Sequence, residues 1–247
     1  MLVALLSACD VEPDVVAELG IEGYEQSWGD DRCSDVARQL LLEDEAGGLF
    51  WMSTDDVMRW SIARPTCLAS GLRAGAIERN GRIWASSGGM IWWIDPITGA
   101  CTASPLTMDA QTLAFVYDPA RKRELLYAIA ADTLFVLEPD SQAYFELGVL
   151  TAERLIGTTT GALYALSTTS ITQFLFSRVG LDGAPQLLTR GVIPAPVLAG
   201  AATWRGGFIM IAGQSTFRFE DADQYSVSTL PISVANVLAS NCASLTR

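Results

Sequence analysis

Gly81-Arg82-Ile83-Trp84-Ala85 is one of five copies of a short motif, the others being Gly48-Leu49-Phe50-Trp51-Met52, Glu124-Leu125-Leu126-Tyr127-Ala128, Gly161-Ala162-Leu163-Tyr164-Ala165 and Gly206-Gly207-Phe208-Ile209-Met210. An aromatic residue holds the fourth position in four of the five, and the starts lie 33, 43, 37 and 45 residues apart. A period of about 40 residues is the length of one four-stranded blade of a β-propeller. Helical solenoids of similar period are disfavoured, because the runs between copies are short, β-branched or aromatic, and broken by Gly, Pro, Asp and Thr. The expectation is an all-β chain forming a propeller of five blades, or of six if the leftover stretches 21–28 and 233–242 build a partial last blade.

The third unit shows the strand pattern most openly. Leu113–Tyr117 reads as the inner strand, closed by Asp118-Pro119; Leu125–Ala130, Thr133–Leu137 and Tyr144–Val149 follow, with Glu138-Pro139-Asp140-Ser141 between the last two. Each break is rich in Asp, Pro or Ser, the residues that pre-set or hydrogen-bond a turn. Fourteen residues after a motif start stand Asp95, Glu138 and Glu220, the first two followed by Pro, and these acids read as turn chemistry. The recurring Trp51, Trp84, Tyr127 and Tyr164 read as packing between neighbouring blades, and the five motif starts as equivalent positions where each second strand begins.

Half of the 247 residues are apolar and 18% are charged, so the chain has the composition of a folded domain. It contains no histidine, which excludes imidazole as base, ligand or pH switch and with it the Ser-His-Asp, Cys-His and zinc-His chemistries. The net charge of -12 is unevenly placed: residues 10–56 hold 14 acids and 2 bases, and the remainder sums to zero. No basic face is concentrated anywhere, so nucleic acid is not an expected partner. Arg121-Lys122-Arg123 is the single basic cluster and falls in a turn of the third unit.

Met1–Cys9 is an apolar run ending in small residues before a cysteine, too short to span a bilayer and followed at once by acidic sequence. Its last four residues, Leu6-Ser7-Ala8-Cys9, resemble the bacterial lipobox, a resemblance that implies lipidation of Cys9. The expected organisation is a lipoprotein signal remnant over 1–9, an acidic tether over 10–33 and a propeller domain over 34–247. Cys33, Cys67, Cys101 and Cys242 remain as an even set without a CxxC pair, candidates for two disulfides in an oxidising compartment. Three connectivities are possible, of which Cys33 with Cys242 would tie the two ends of a closed ring.

Gly81 to Ala85 followed by Trp93-Ile94-Asp95-Pro96-Ile97-Thr98-Gly99, together with Gly161-Ala162-Leu163-Tyr164-Ala165, resembles the repeats of pyrroloquinoline-quinone-type and YVTN propellers. Those repeats place a Gly-x-Leu-Tyr-Ala strand before an Asp-x-x-Thr-Gly turn. The chain has neither the length nor the vicinal cysteines of the quinone enzymes in that group, so no cofactor is carried over. The same group includes the propeller lipoprotein of the outer-membrane barrel-assembly machinery, a scaffold without catalysis.

Without histidine, paired carboxylates are the remaining hydrolytic option, and Asp30-Asp31, Asp55-Asp56 and Asp221 with Asp223 are the local clusters. All read as turn or tether residues. No Walker A loop, dinucleotide fingerprint or nucleophile elbow is present. Trp92 and Trp93 are the candidate binding-face residues, since adjacent strand residues face opposite ways. The expected function is a non-enzymatic, lipid-anchored envelope propeller that binds a protein or a glycan as a monomer, facing the periplasm or exterior, with no metal, no cofactor and no catalytic residue. A carboxylate-dependent, glycosidase-like hydrolase on the same ring is the alternative, and two carboxylates at the mouth of the central channel would favour it.

Overall fold

A computed structural model describes residues 33–53, 58–119, 121–139, 143–170, 173–180, 183–192, 198–204, 207–221 and 224–244. Cys9, Asp30-Asp31, Asp55-Asp56, Gly206 and Asp223 lie outside the described residues. Among the described residues no helix is long and apolar enough to cross a membrane.

The strands follow the turn punctuation. In chain order they are β1 (Leu40–Asp44), β2 (Leu49–Met52), β3 (Met58–Ile62), β4 (Ala74–Ile77), β5 (Ile83–Ser87), β6 (Met90–Ile94), β7 (Cys101–Ala103), β8 (Thr112–Asp118) and β9 (Arg123–Ala130). They continue with β10 (Thr133–Glu138), β11 (Ala143–Val149), β12 (Arg154–Gly157), β13 (Leu163–Ser170), β14 (Gln173–Val179), β15 (Pro185–Val192), β16 (Gly200–Trp204), β17 (Gly207–Asp221) and β18 (Gln224–Leu238). Two-residue turns with positive φ join β5 to β6 (Gly88 +61°, Gly89 +78°) and β9 to β10 (Ala131 +49°, Asp132 +60°). Such turns match the right-handed twist of the strands they connect. Asp95 caps the β6–β7 turn as the sequence suggests: its Oδ1 accepts from the N–H of Ile97 (3.0 Å) and Thr98 (2.7 Å) and from the Thr98 hydroxyl (2.8 Å).

Three four-stranded antiparallel meanders form, β4–β7, β8–β11 and β12–β15, together with one six-stranded sheet ordered β16-β17-β18-β1-β2-β3. The chain is all-β, a β-propeller. Four sheets, and not five or six, are hydrogen-bonded among the described residues, because β18 pairs with β17 on one side and with β1 on the other. That pairing also corrects the expected equivalence of the motifs. β5, β9 and β13 are second strands of their sheets, whereas Gly48 leads into β2, two places beyond β18 in the sheet order. β17 bends at Gly213 (φ +57°), and Phe208 and Phe219 from its two halves stack with ring centroids 4.5 Å apart.

The strands that begin each sheet, β4, β8, β12 and β16, contact one another in turn, and β18 contacts both β16 and β4 to close the circuit. Close approach there demands small residues. A Cβ on Gly157 of β12 would stand 1.8 Å from the Phe115 carbonyl oxygen of β8, and one on Gly75 of β4 would stand 2.2 Å from Leu238 of β18. Apolar clusters fill the wedges between sheets. Trp51 lies against Ile77, Ile83 and Ile94, Trp84 against Phe115 and Leu126, and Tyr164 against Phe208 and Phe219, all three rings fully buried; Tyr127 is half-buried in the corresponding place. A further cluster joins Leu40, Leu42 and Met52 to Ile209, Ile211 and Val234 within the six-stranded sheet. Both disulfides form, Cys33 with Cys242 and Cys67 with Cys101.

Candidate functional site

The ring of first strands surrounds a narrow cavity of about 30 Å³, room for about one or two water molecules. Its floor is the short helical turn Asn241–Ser244, where Ser240 and Asn241 line the cavity and are buried. Several bonds hold that turn in place. The Ser240 hydroxyl donates to the Ala37 carbonyl (2.6 Å), Asn241 Nδ2 donates to Glu124 Oε1 (3.0 Å), and Cys242 is bridged to Cys33. Glu124, which replaces the motif glycine in β9, also accepts from the Arg79 N–H (2.8 Å), so one carboxyl joins two neighbouring sheets to the chain's last turn. Burial pushes its pKa up to about 8 against the downward pull of the Arg79 N–H and guanidinium. The Arg79 guanidinium itself sits 4.2 Å above the Tyr117 ring.

The opposite end is open. β4, β8 and β12 begin there, so the residues at their starts form the mouth: Arg73, Gln111, Thr112 and Arg154, joined by Asn236 of β18. Arg73 Nη1 pairs with Asp109 at 2.6 Å, both side chains about half exposed. Among the described residues, the hydrogen bonds of Arg154 go to backbone carbonyls. Its Nε and Nη2 donate to the Ala199 oxygen (3.1 and 2.9 Å), Nη2 to Leu198 (3.1 Å) and Nη1 to Glu153 (2.7 Å). Burial holds this guanidinium below its ordinary pKa, more strongly than the nearby Glu153 raises it. Asn236 Nδ2 donates to Glu43 Oε2 (2.6 Å) and the Leu72 carbonyl (3.1 Å), and Glu43 receives Arg64 at 2.9 Å on its other oxygen. Among the described residues no Asp or Glu lines the cavity, and no group of three metal-ligating side chains is assembled.

Trp92 and Trp93 stand on opposite faces of β6, half-buried. Trp92 packs with the cluster around Trp51 and donates to the Ser87 carbonyl (3.2 Å). Trp93 meets Trp84 edge-on at 5.4 Å, with Arg82 over its other side. Neither lines the cavity. The turn acids are likewise held apart: Asp118 binds Arg121 (3.2 Å) and Glu138 binds Arg123 (2.9 Å). The mouth residues escaped the sequence reading, although a signal was present. Arg73, Gln111 and Arg154 each stand at the start of the apolar strand that precedes a motif, a recurrence of polar residues at one blade position.

No family model matches the chain and no curated protein matches it. Its fold is similar to that in the crystal structure of a nidogen/laminin complex, with TM-score 0.52 and 13% identity over 76% of this chain and 77% of that one. It is also similar to a gluconolactonase-like protein, with TM-score 0.50 and 14% identity over 82% and 74%. Virginiamycin B lyase from Staphylococcus aureus matches with TM-score 0.43 and 11% identity over 79% and 71%. At such identities the likeness is one of fold.

Proposed function

We propose that this chain is a non-enzymatic binding scaffold of the bacterial cell envelope, anchored by a lipid on Cys9 and displaying the open mouth of its channel. The observation that carries this reading is the absence of any carboxylate from the cavity lining among the described residues, where a carboxylate-dependent hydrolase would need two. Orientation supports it. Cys33, the first described residue, is bridged to Cys242 at the floor, so the segment toward Cys9 leaves the ring at its closed end. The 24 intervening residue steps reach at most roughly 80 Å. In this reading the six-stranded sheet comprises two blades sharing β18, which makes five; the bend of β17 at Gly213 and the apolar cluster inside that sheet support the count. The repeats are then degenerate relatives of the quinone-type and YVTN kind.

A photo-cross-linking residue at Gln111, on the mouth, and one at Lys122, in the β8–β9 turn at the far end, test the scaffold reading in cells. A discrete envelope adduct from position 111 and none from 122 is expected. Hydrolysis of glycosides or lactones by the purified chain, lost in Asp109→Asn, would overturn it in favour of an enzyme.

A further inference from the structure

We propose that the open edge of β18, from Tyr225 to Thr229, pairs with the same strand of a second copy of this chain, antiparallel and about a two-fold axis at Val227. The inference goes beyond the scaffold reading and replaces the monomer expected from the sequence.

The first observation is an edge without protection. A strand at the rim of a sheet offers its backbone donors and acceptors to any other strand, and stable proteins blunt such edges by shortness, charge, proline or a bulge. The other strands farthest from the channel in their sheets all carry such a device. β7 is three residues long, and β3 has Arg59 and a register shift. β11 has Glu146 and a register shift, and β15 begins at Pro185, contains Arg190 and is also shifted. The first half of β18 differs. It pairs with β17 from Ser215↔Thr229 to Phe219↔Tyr225 without a shift, and among the described residues no strand pairs with its other side. None of residues 224–238 is charged.

The second observation selects the occupant. Tyr225-Ser226-Val227-Ser228-Thr229 is nearly symmetric about its centre. In an antiparallel pair centred on Val227, Tyr225 stands opposite Thr229 of the second copy, Ser226 opposite Ser228 of the second copy, and the two Val227 side chains meet. Aromatic with β-branched and hydroxyl with hydroxyl are pairs that stabilise antiparallel sheets. Tyr225 and Val227 are 42% and 57% exposed, so both have apolar surface left to cover. The Tyr225 ring already rests on buried Phe217 and Phe219, at 5.8 and 5.3 Å, so little order is left to impose on it. Such a contact uses the same patch on both copies and closes on itself, so assembly stops at two.

Charge and extent set the direction and the strength. The chain carries a net charge of -12, and Glu220, Asp221 and Asp223 precede the strand. An antiparallel pair puts these acids at opposite ends, whereas a parallel pair would set them side by side. Pro231 has no N–H and ends the pairing segment on the other side. Five residue pairs bury less than the roughly 1,000 Å² of a stable interface, so the dimer is a weak one, with Kd on the order of 100 µM.

The test is sedimentation equilibrium of the full chain carrying Cys9→Ser, from about 1 µM to about 1 mM. A monomer–dimer equilibrium is expected. Val227→Lys sets like charges opposite each other and should weaken it at least about tenfold, while Val149→Lys, on the 77% exposed site of the β11 edge, should leave it unchanged. Val227→Cys should give a disulfide-linked dimer on diamide oxidation, because opposite Cα atoms of an antiparallel pair stand about 4.5 to 5.5 Å apart. Val149→Cys should not. A monomer at every concentration, growth beyond two copies, equal weakening by the two lysine variants, or failure of Val227→Cys to cross-link would each overturn the proposal. The adduct from position 111 reports on the mouth separately, so a monomer that still captures its partner there would fail this inference alone.

Discussion

The β8–β11 sheet and the six-stranded sheet are built from similar sequence by different rules. In the first, four strands follow one another through short turns, and the expected Leu113–Tyr117, Leu125–Ala130, Thr133–Leu137 and Tyr144–Val149 match the observed strands within about two residues. In the second, Gly48 to Met52 looks like any other copy, yet its strand lies one place further from the channel because β18, almost 200 residues later, has inserted next to β1. Local pairing can be read from turn residues because a hairpin is decided by its own few dihedral angles. Closure is a contact between chain ends, and no local pattern encodes it.

The largest expected effect tests closure. Cys33–Cys242 spans 209 residues and Cys67–Cys101 spans 34. On the loop-entropy account, Cys242→Ser should cost about 5 kcal/mol and Cys101→Ser about 4 kcal/mol. Denaturant unfolding of the two variants checks the order; a larger loss from Cys101→Ser would mean that the chain ends stay joined without their bridge. Within the regular sheets, Trp84→Ala removes a fully buried ring that meets Trp93 and Phe115 and should cost about 3 to 5 kcal/mol. The same change at half-buried Tyr127 should cost less.

Gly157→Ala probes the ring of first strands directly. The added methyl meets the Phe115 carbonyl, a backbone atom that cannot rotate away, and about 1 to 3 kcal/mol of destabilisation is expected by thermal melting. Glu124 joins a regular sheet to the closing turn, and its effect is a pH slope. Its carboxyl is raised from 4.5 to about 8, so between these values the unfolded chain gives up a proton that the folded chain keeps. The stability that Glu124 contributes is fully present below about pH 4.5 and is lost at up to about 1.4 kcal/mol per pH unit as the pH rises from there to about 8. Glu124→Gln should flatten that slope, and an unchanged pH profile would show that the carboxyl is solvated in the native state. The smallest effect belongs to Arg121→Ala, whose exposed pair with Asp118 should contribute no more than about 0.5 kcal/mol.

What could be read from the residues follows from the range of the forces involved. Period, turn acids and the recurrent aromatic act over a few residues, so the all-β class, the meander of Leu113 to Val149 and the even set of four cysteines were legible. The pairing of those cysteines was not, because three connectivities satisfy the count and only the closed ring brings Cys33 to Cys242. Trp92 and Trp93 stood out as a doublet, but a strand enclosed by neighbouring sheets packs both of its faces. The mouth was hidden for the complementary reason: Arg73, Gln111 and Arg154 are ordinary polar residues along the chain, separated by 38 and 43 positions. Their convergence arises because the strands they precede point the same way around one axis. The amino-acid sequence by itself thus determined the repeating unit, since each hairpin folds on information it contains. Which residues share the channel was decided only when packing between sheets closed the circle.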